Sequence, residues 1–133
     1  MAPAVEIEVE IRFAETDMMQ VVHHAAYLPW LEMGRIAYMK ARGAPYTEIA
    51  RTHNFSVVDV SLQIRRPLVF GDTVHIRTTL DHLGSRKLRF AYELRVRPHA
   101  ALVATGRTEH ICVDLAGRAR RIPPALAARL RDA

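Results

Sequence analysis

Val5, Ile7, Val9, Ile11 and Phe13 alternate with Glu6, Glu8, Glu10 and Arg12 at the start of the chain. A period of two predicts a strand with one buried face. From about His24 to Arg42 the pattern changes, and the only proline is Pro29. A proline is best tolerated near a helix start, where its missing N–H costs least. Gly43 and then Pro45 supply the stop. Within this span Tyr27, Leu28, Trp30, Leu31, Met33, Ile36, Ala37, Tyr38 and Met39 leave little polar face. Such a helix needs to be surrounded rather than laid on a surface. A second, short helix is expected from about Tyr46 to His53.

Beyond that point the period returns to two. Val58, Val60, Leu62 and Ile64 alternate up to Pro67, and Gly71-Asp72 marks a turn. Val74, Ile76, Thr78 and Leu80 follow, then Gly84-Ser85, then Leu88, Phe90, Tyr92, Leu94 and Val96. Pro98-His99 breaks the pattern, and a last strand runs from Leu102 to Leu115 before Ala116-Gly117. Pro123-Pro124 opens a short tail, Ala125 to Arg131, with room for one or two helical turns. The order is strand, long helix, four antiparallel strands, the last four read as a meander joined by short connections. A five-stranded sheet with one apolar helix must curl round that helix to bury both. The expected class is α+β, with residues 1–133 forming one domain.

Composition narrows the function. The chain has 133 residues, half apolar and a quarter charged, which is ordinary for a globular domain with a real core. No apolar run approaches a membrane span, and Met1-Ala2-Pro3-Ala4 has neither the basic nor the apolar region of a secretory signal. A single cysteine, Cys112, excludes an internal disulfide framework and makes the cytoplasm the expected compartment. The net charge of +5 rests on scattered arginines rather than a basic stripe, so no nucleic-acid partner is expected. Its concentrations are Arg65-Arg66, Arg86-Lys87 with Arg89, and Arg118 with Arg120-Arg121. Arginine forks suit the phosphates of a nucleotide-bearing ligand.

The chemistry gathers where the first strand meets the helix, in Glu15-Thr16-Asp17 and His23-His24. Loops and helix starts present side chains and free N–H groups to a ligand. Asp17 supplies a carboxylate able to attack directly or to activate water, with a turn or capping role as its bland alternative. The helix start near His24 supplies unpaired N–H groups and a positive dipole end. His24 is placed either to position the substrate or Asp17, or simply to close the helix start. Tyr27, one turn on along the same face, is a candidate for substrate contact and equally for the core. Neighbouring His23 and His24 should point apart, and the remaining histidines lack ligand spacing, so no metal is expected. Cys112, inside a strand, reads as buried and inert. Ser85 lacks a nucleophile elbow, and no Gly-rich phosphate loop is present.

These residues carry a resemblance. Arg12-Phe13-Ala14-Glu15-Thr16-Asp17 and Val21-Val22-His23-His24-Ala25-Ala26-Tyr27-Leu28-Pro29-Trp30-Leu31-Glu32, with Arg66-Pro67, Gly71-Asp72 and Ala104 to His110 running into Val113-Asp114, resemble the hotdog-fold acyl-CoA thioesterases of the 4-hydroxybenzoyl-CoA thioesterase type. The similarity spans about residues 5 to 123. It departs from the family at Gln20, where glycine is usual, and at His23, where an aromatic residue or asparagine often stands. The resemblance implies that Asp17 is catalytic, as nucleophile or general base, and that a backbone N–H around His24 to Ala26 polarises the thioester carbonyl. It implies that Arg86 and Lys87 hold the phosphates of coenzyme A, which is part of the substrate, with no further cofactor. It also implies a homo-oligomer, a dimer or a dimer of dimers (a homotetramer), with the site at the subunit seam. A hotdog module that binds acyl-CoA without hydrolysing it is the alternative; a hydratase on this fold would need an acid–histidine arrangement on the helix that is not found.

Overall fold

The computed structural model describes residues 3–98 and 100–131, so His99 of the expected break lies outside the described residues. Strand β1, Val5–Glu10, is followed by helix α1, Tyr27–Ala41, and a short helix α2, Tyr46–Ile49. Strands β2 (His53–Ile64), β3 (Thr73–Leu83), β4 (Lys87–Arg97) and β5 (Ala101–Asp114) follow, then helix α3, Pro124–Arg131. All strand pairings are antiparallel, in the order β1-β3-β4-β5-β2. The curled five-stranded sheet around one long helix is the expected architecture.

Its connectivity corrects one expectation. β3, β4 and β5 form a meander, but β2 pairs with β5 and β1 with β3. The segment after β2 crosses the end of the sheet instead of turning back as a hairpin. The Arg65 N–H donates to Val103 O, and Leu68 O accepts from Val22 N–H, so the crossing chain is held at both sheet and turn.

Three boundaries also move. β1 ends at Glu10, and Phe13 sits in a 3-10 turn with its ring 75% exposed rather than buried. α2 stops at Ile49, and β2 begins at His53, ahead of the expected Val58. The single alternating face expected from Val58 to Ile64 is interrupted by a bulge between Val57 and Asp59. An inserted residue flips the side chains beyond it to the other face.

α1 shows why its sequence is so apolar. Tyr27, Trp30, Leu31, Tyr38 and Met39 are all buried, each worth about 1.5–3 kcal/mol of burial. The helix rests chiefly on β1 and β3. Gly34 allows that approach, because a Cβ there would collide with the Thr78 hydroxyl. The other flank is left bare: Val57, Val58, Val60 and Ile64 of β2 are each more than two-fifths exposed. β2 and β1 are the sheet's two edges.

Candidate active site

The turn between β1 and α1 is a small hairpin. Thr16 bridges to Val22, Asp17 N–H donates to Val21 O, and His23 N–H donates to Glu15 O. Asp17 and His24 therefore stand on the two arms of one tight loop. At its tip Gln20 N–H donates to Asp17 O, and Gln20 adopts a left-handed φ of 66°. That conformation is ordinary for glycine and costly for a residue with a Cβ. The glycine usual in the resembled family thus has a conformational reason, and this chain meets it with glutamine.

The Asp17 carboxylate is half-buried, and its Oδ1 accepts the Met19 N–H at 2.8 Å. This Asx turn orients the carboxylate, and Oδ2 has no partner among the described residues. Met18 and Met19 are exposed.

His24–Ala26 form a 3-10 turn that runs directly into α1. Of its three N–H groups, that of Ala25 goes to His23 Nδ1 at 3.1 Å and that of Ala26 to His23 O at 2.9 Å. The His24 N–H has no hydrogen-bond partner among the described residues, so it is the donor left open at the helix start. His23 acts as the helix cap. The two imidazoles stack, with centroids 4.3 Å apart, rather than pointing apart as expected. Even so, among the described residues no group of three or more metal-ligating side chains comes together.

Tyr27 is 1% exposed and lies edge-on to Trp30 in the core. Burial pushes its phenol above the ordinary range. Cys112 is buried as expected, its thiol pushed up by desolvation.

Glu15 stands in the sequence motif but was given no role there. It is buried, yet it accepts from the Arg12 N–H at 2.7 Å and the Trp30 indole at 2.9 Å. Burial by itself would raise its carboxyl, but the Arg12 N–H, the Arg12 guanidinium and the Trp30 indole outweigh that and hold it below the usual range. The available signal was Trp30 itself, since a buried indole N–H needs an acceptor. A second polar group was also missed. Thr108 and His110, two residues apart on one strand face, are both buried with Tyr92 beside them.

Arg86 and Lys87 are exposed at the opposite end of the sheet. Glu10, whose strand leads into the Asp17 turn, pairs with Thr73, and Thr73 with Arg97; Lys87 is at the far end of that same strand. The ten steps between residues 87 and 97 span roughly 33 Å. Within one chain the structure thus keeps these cations away from Asp17. It does bring them near the other basic residues. Cys112 N–H donates to Arg86 O and Ile122 N–H to Ser85 O, and a recess of ≈ 410 Å³ there is lined by Ser85, Arg121 and Arg131 among others. Lys87 faces Glu109 at 3.8 Å, and Arg120 pairs with Asp114 at 3.0 Å.

Residues 11–130 match the family described as Thioesterase-like superfamily. The chain belongs to that superfamily. The candidate acyl-CoA thioesterase YneP of Bacillus subtilis (strain 168) is 36% identical over 108 residues, covering 80% of this chain and 78% of YneP. A crystal structure of the hypothetical protein TT1821 from Thermus thermophilus is 38% identical, with a TM-score of 0.89, covering 96% of this chain and 95% of that one. A 4-hydroxybenzoyl CoA thioesterase mutant, crystallised with 4-hydroxybenzoyl CoA, has a TM-score of 0.87 over 97% of this chain and 99% of its own. At 16% identity it shows the shared hotdog fold alone. Among the described residues no helix is long and apolar enough to cross a membrane.

Proposed function

We propose that this superfamily member hydrolyses acyl-CoA thioesters, with Asp17 as the reacting carboxylate and the His24 N–H as the oxyanion donor. One observation carries the reading: a carboxylate with one oxygen tied down and the other without a partner among the described residues shares a hairpin with the open His24 N–H at the helix start. The name borne by YneP points to the same substrate class.

Thioester hydrolysis proceeds through an addition that places negative charge on the carbonyl oxygen. A preorganised N–H at the positive end of a helix stabilises that charge where it develops. Asp17 Oδ2 either attacks the carbonyl, forming an anhydride that water then opens, or takes a proton from an attacking water. Both routes release coenzyme A as the thiol and the acyl group as a carboxylic acid. No metal or added cofactor enters this scheme.

The same reading calls for a second subunit. β2 is an unpaired edge with exposed valines, a surface that a copy of the chain can cover. A two-fold axis across that edge sets the Asp17 end of one sheet beside the Arg86-Lys87 end of its partner. The long separation within a chain then becomes proximity between chains, and the cations can hold the nucleotide phosphates.

The deciding experiment is Asp17→Asn, which keeps shape and removes charge. Free-thiol release from a panel of acyl-CoAs should fall at least about a hundredfold in kcat, the scale of a positioned acid–base group. A variant that keeps most of the wild-type rate removes Asp17 from the chemistry. Acyl-CoA binding by the wild type without thiol release would favour the non-catalytic module instead.

A further inference from the structure

A groove runs between α1 and β2, because the helix rests on the other side of the sheet. Its first part, ≈ 290 Å³, is bounded by Leu28 and Pro29 at the helix start and reaches Arg35 and Thr108. Its second part, ≈ 370 Å³, continues past Arg35 to Phe90 and His110. The groove therefore begins one helical turn beyond the open His24 N–H and ends on polar groups that thioester cleavage does not use.

Those groups form a directed chain. Thr108 Oγ1 lies 2.7 Å from the Tyr92 hydroxyl and 2.8 Å from His110 Nε2. The Phe55 backbone carbonyl also accepts from the imidazole, and the ring stays neutral down to about 4, because it is desolvated and because Arg35 is close. A neutral imidazole has one N–H. With that proton on Phe55 O, Nε2 accepts from Thr108, and Thr108 in turn accepts from Tyr92. The Tyr92 oxygen then faces the Arg35 guanidinium, the remaining group of the chain.

Arg35 is left with donors to spare. Its side chain is 16% exposed, and its one ion-pair partner among the described residues is Glu32 at 3.7 Å, which is 66% exposed and lines both parts of the groove. A guanidinium has five N–H donors, and a buried one needs oxygen acceptors to offset its lost hydration. The groove wall supplies few: Ile36, Met39, Phe55, Val57 and Phe90 are apolar.

Resting on the thioesterase reading, we propose that Arg35, backed by the Tyr92–Thr108–His110 chain, is a specificity subsite for an oxygen at the far end of the acyl group. From Leu28 to Arg35 the helix rises about 10 Å. The fitting substrate is an extended acyl group with a terminal hydroxyl or carboxylate, the shared feature being an acceptor oxygen held by the guanidinium fork.

The test compares acyl-CoAs of equal medium chain length that end in methyl, hydroxyl or carboxylate. For the wild type, kcat/KM should favour at least one oxygenated member over the methyl one by about ten- to a hundredfold, the scale of a hydrogen bond to a charged group. Arg35→Met and, independently, Tyr92→Phe, which deletes only the hydroxyl, should each bring that ratio toward one. Dissociation constants for the same compounds on wild type and Asp17→Asn supply a readout that does not need turnover. If no thioester is cleaved the thioesterase reading fails, and if Asp17→Asn stays active the assignment of the chemistry to Asp17 fails; in both cases the binding ratios still judge the subsite. A preference for either the hydroxyl or the carboxylate upholds the subsite and says which oxygen it takes. Equal constants across the three chain ends, or a preference that survives both substitutions, overturns it.

Discussion

The Trp30 indole N–H donates to the buried Glu15 carboxylate at 2.9 Å, pinning the turn that carries Asp17 to the first turn of α1. Trp30→Phe deletes the donor together with part of the buried ring. The Glu15 carboxylate then loses a partner while staying buried, which should cost about 1–3 kcal/mol in urea unfolding. Thiol release should fall as well, because the hairpin holding Asp17 loosens. Unchanged stability and rate would mean that this bond does not position the site.

Gln20 pays for its left-handed backbone at the hairpin tip. Gln20→Gly should raise stability by about 0.5–1 kcal/mol, the strain relieved less the entropy of glycine. Thermal unfolding provides the check, and a lower melting temperature would contradict the account.

Arg86→Ala combined with Lys87→Ala should raise KM for acyl-CoA more than it lowers kcat. Phosphate contacts bind ground and transition states alike. With a short thioester that lacks the nucleotide the defect should shrink. Equal defects on both substrates would assign these residues to structure or chemistry instead.

Mixed oligomers test whether one site draws on two chains. Co-expression of an Asp17→Asn chain with an Arg86→Ala, Lys87→Ala chain should restore part of the activity at low substrate. Half of the sites in a mixed dimer then combine an intact Asp17 with intact cations. Sedimentation should show a dimer or larger. A fully active monomer would defeat the arrangement.

His110 predicts an acid-sensitive core. Unfolded, it takes up a proton near its ordinary value of 6.5; folded, desolvation and the charge of Arg35 hold off protonation until about 4. Its contribution is complete above pH 6.5 and is lost as pH falls toward 4, at up to about 1.4 kcal/mol per pH unit. Glu15 is held below its usual range, so the interval from pH 7 to 5 separates the histidine from that carboxylate. Urea titrations at those two values should show less pH dependence for His110→Gln than for wild type. Parallel slopes would show that another group controls it.

The sequence by itself determined much of this molecule. Period-two alternation marked the sheet strands, and the near-continuous apolar face of α1 demanded a sheet around it. That Asp17 and His24 lie close together was legible because the hairpin joining them is local, closed by contacts within a few residues. What stayed hidden depends on partners far apart in the chain. The β2–β5 pairing, the bulge after Val57 and the crossing at Arg65 follow from how the sheet closes, and alternation carries no information on which strand lies beside which. Glu15 stood in the motif without a role, which only the folding of Trp30 over it supplies. Likewise Arg35, Tyr92, Thr108 and His110 come from one helix and two strands, and only the curl of the sheet beneath α1 makes them one polar chain. Arg86 and Lys87 show the reverse: their basic character was plain in the sequence, but their distance from Asp17 was set by the sheet, which places a strand length between them.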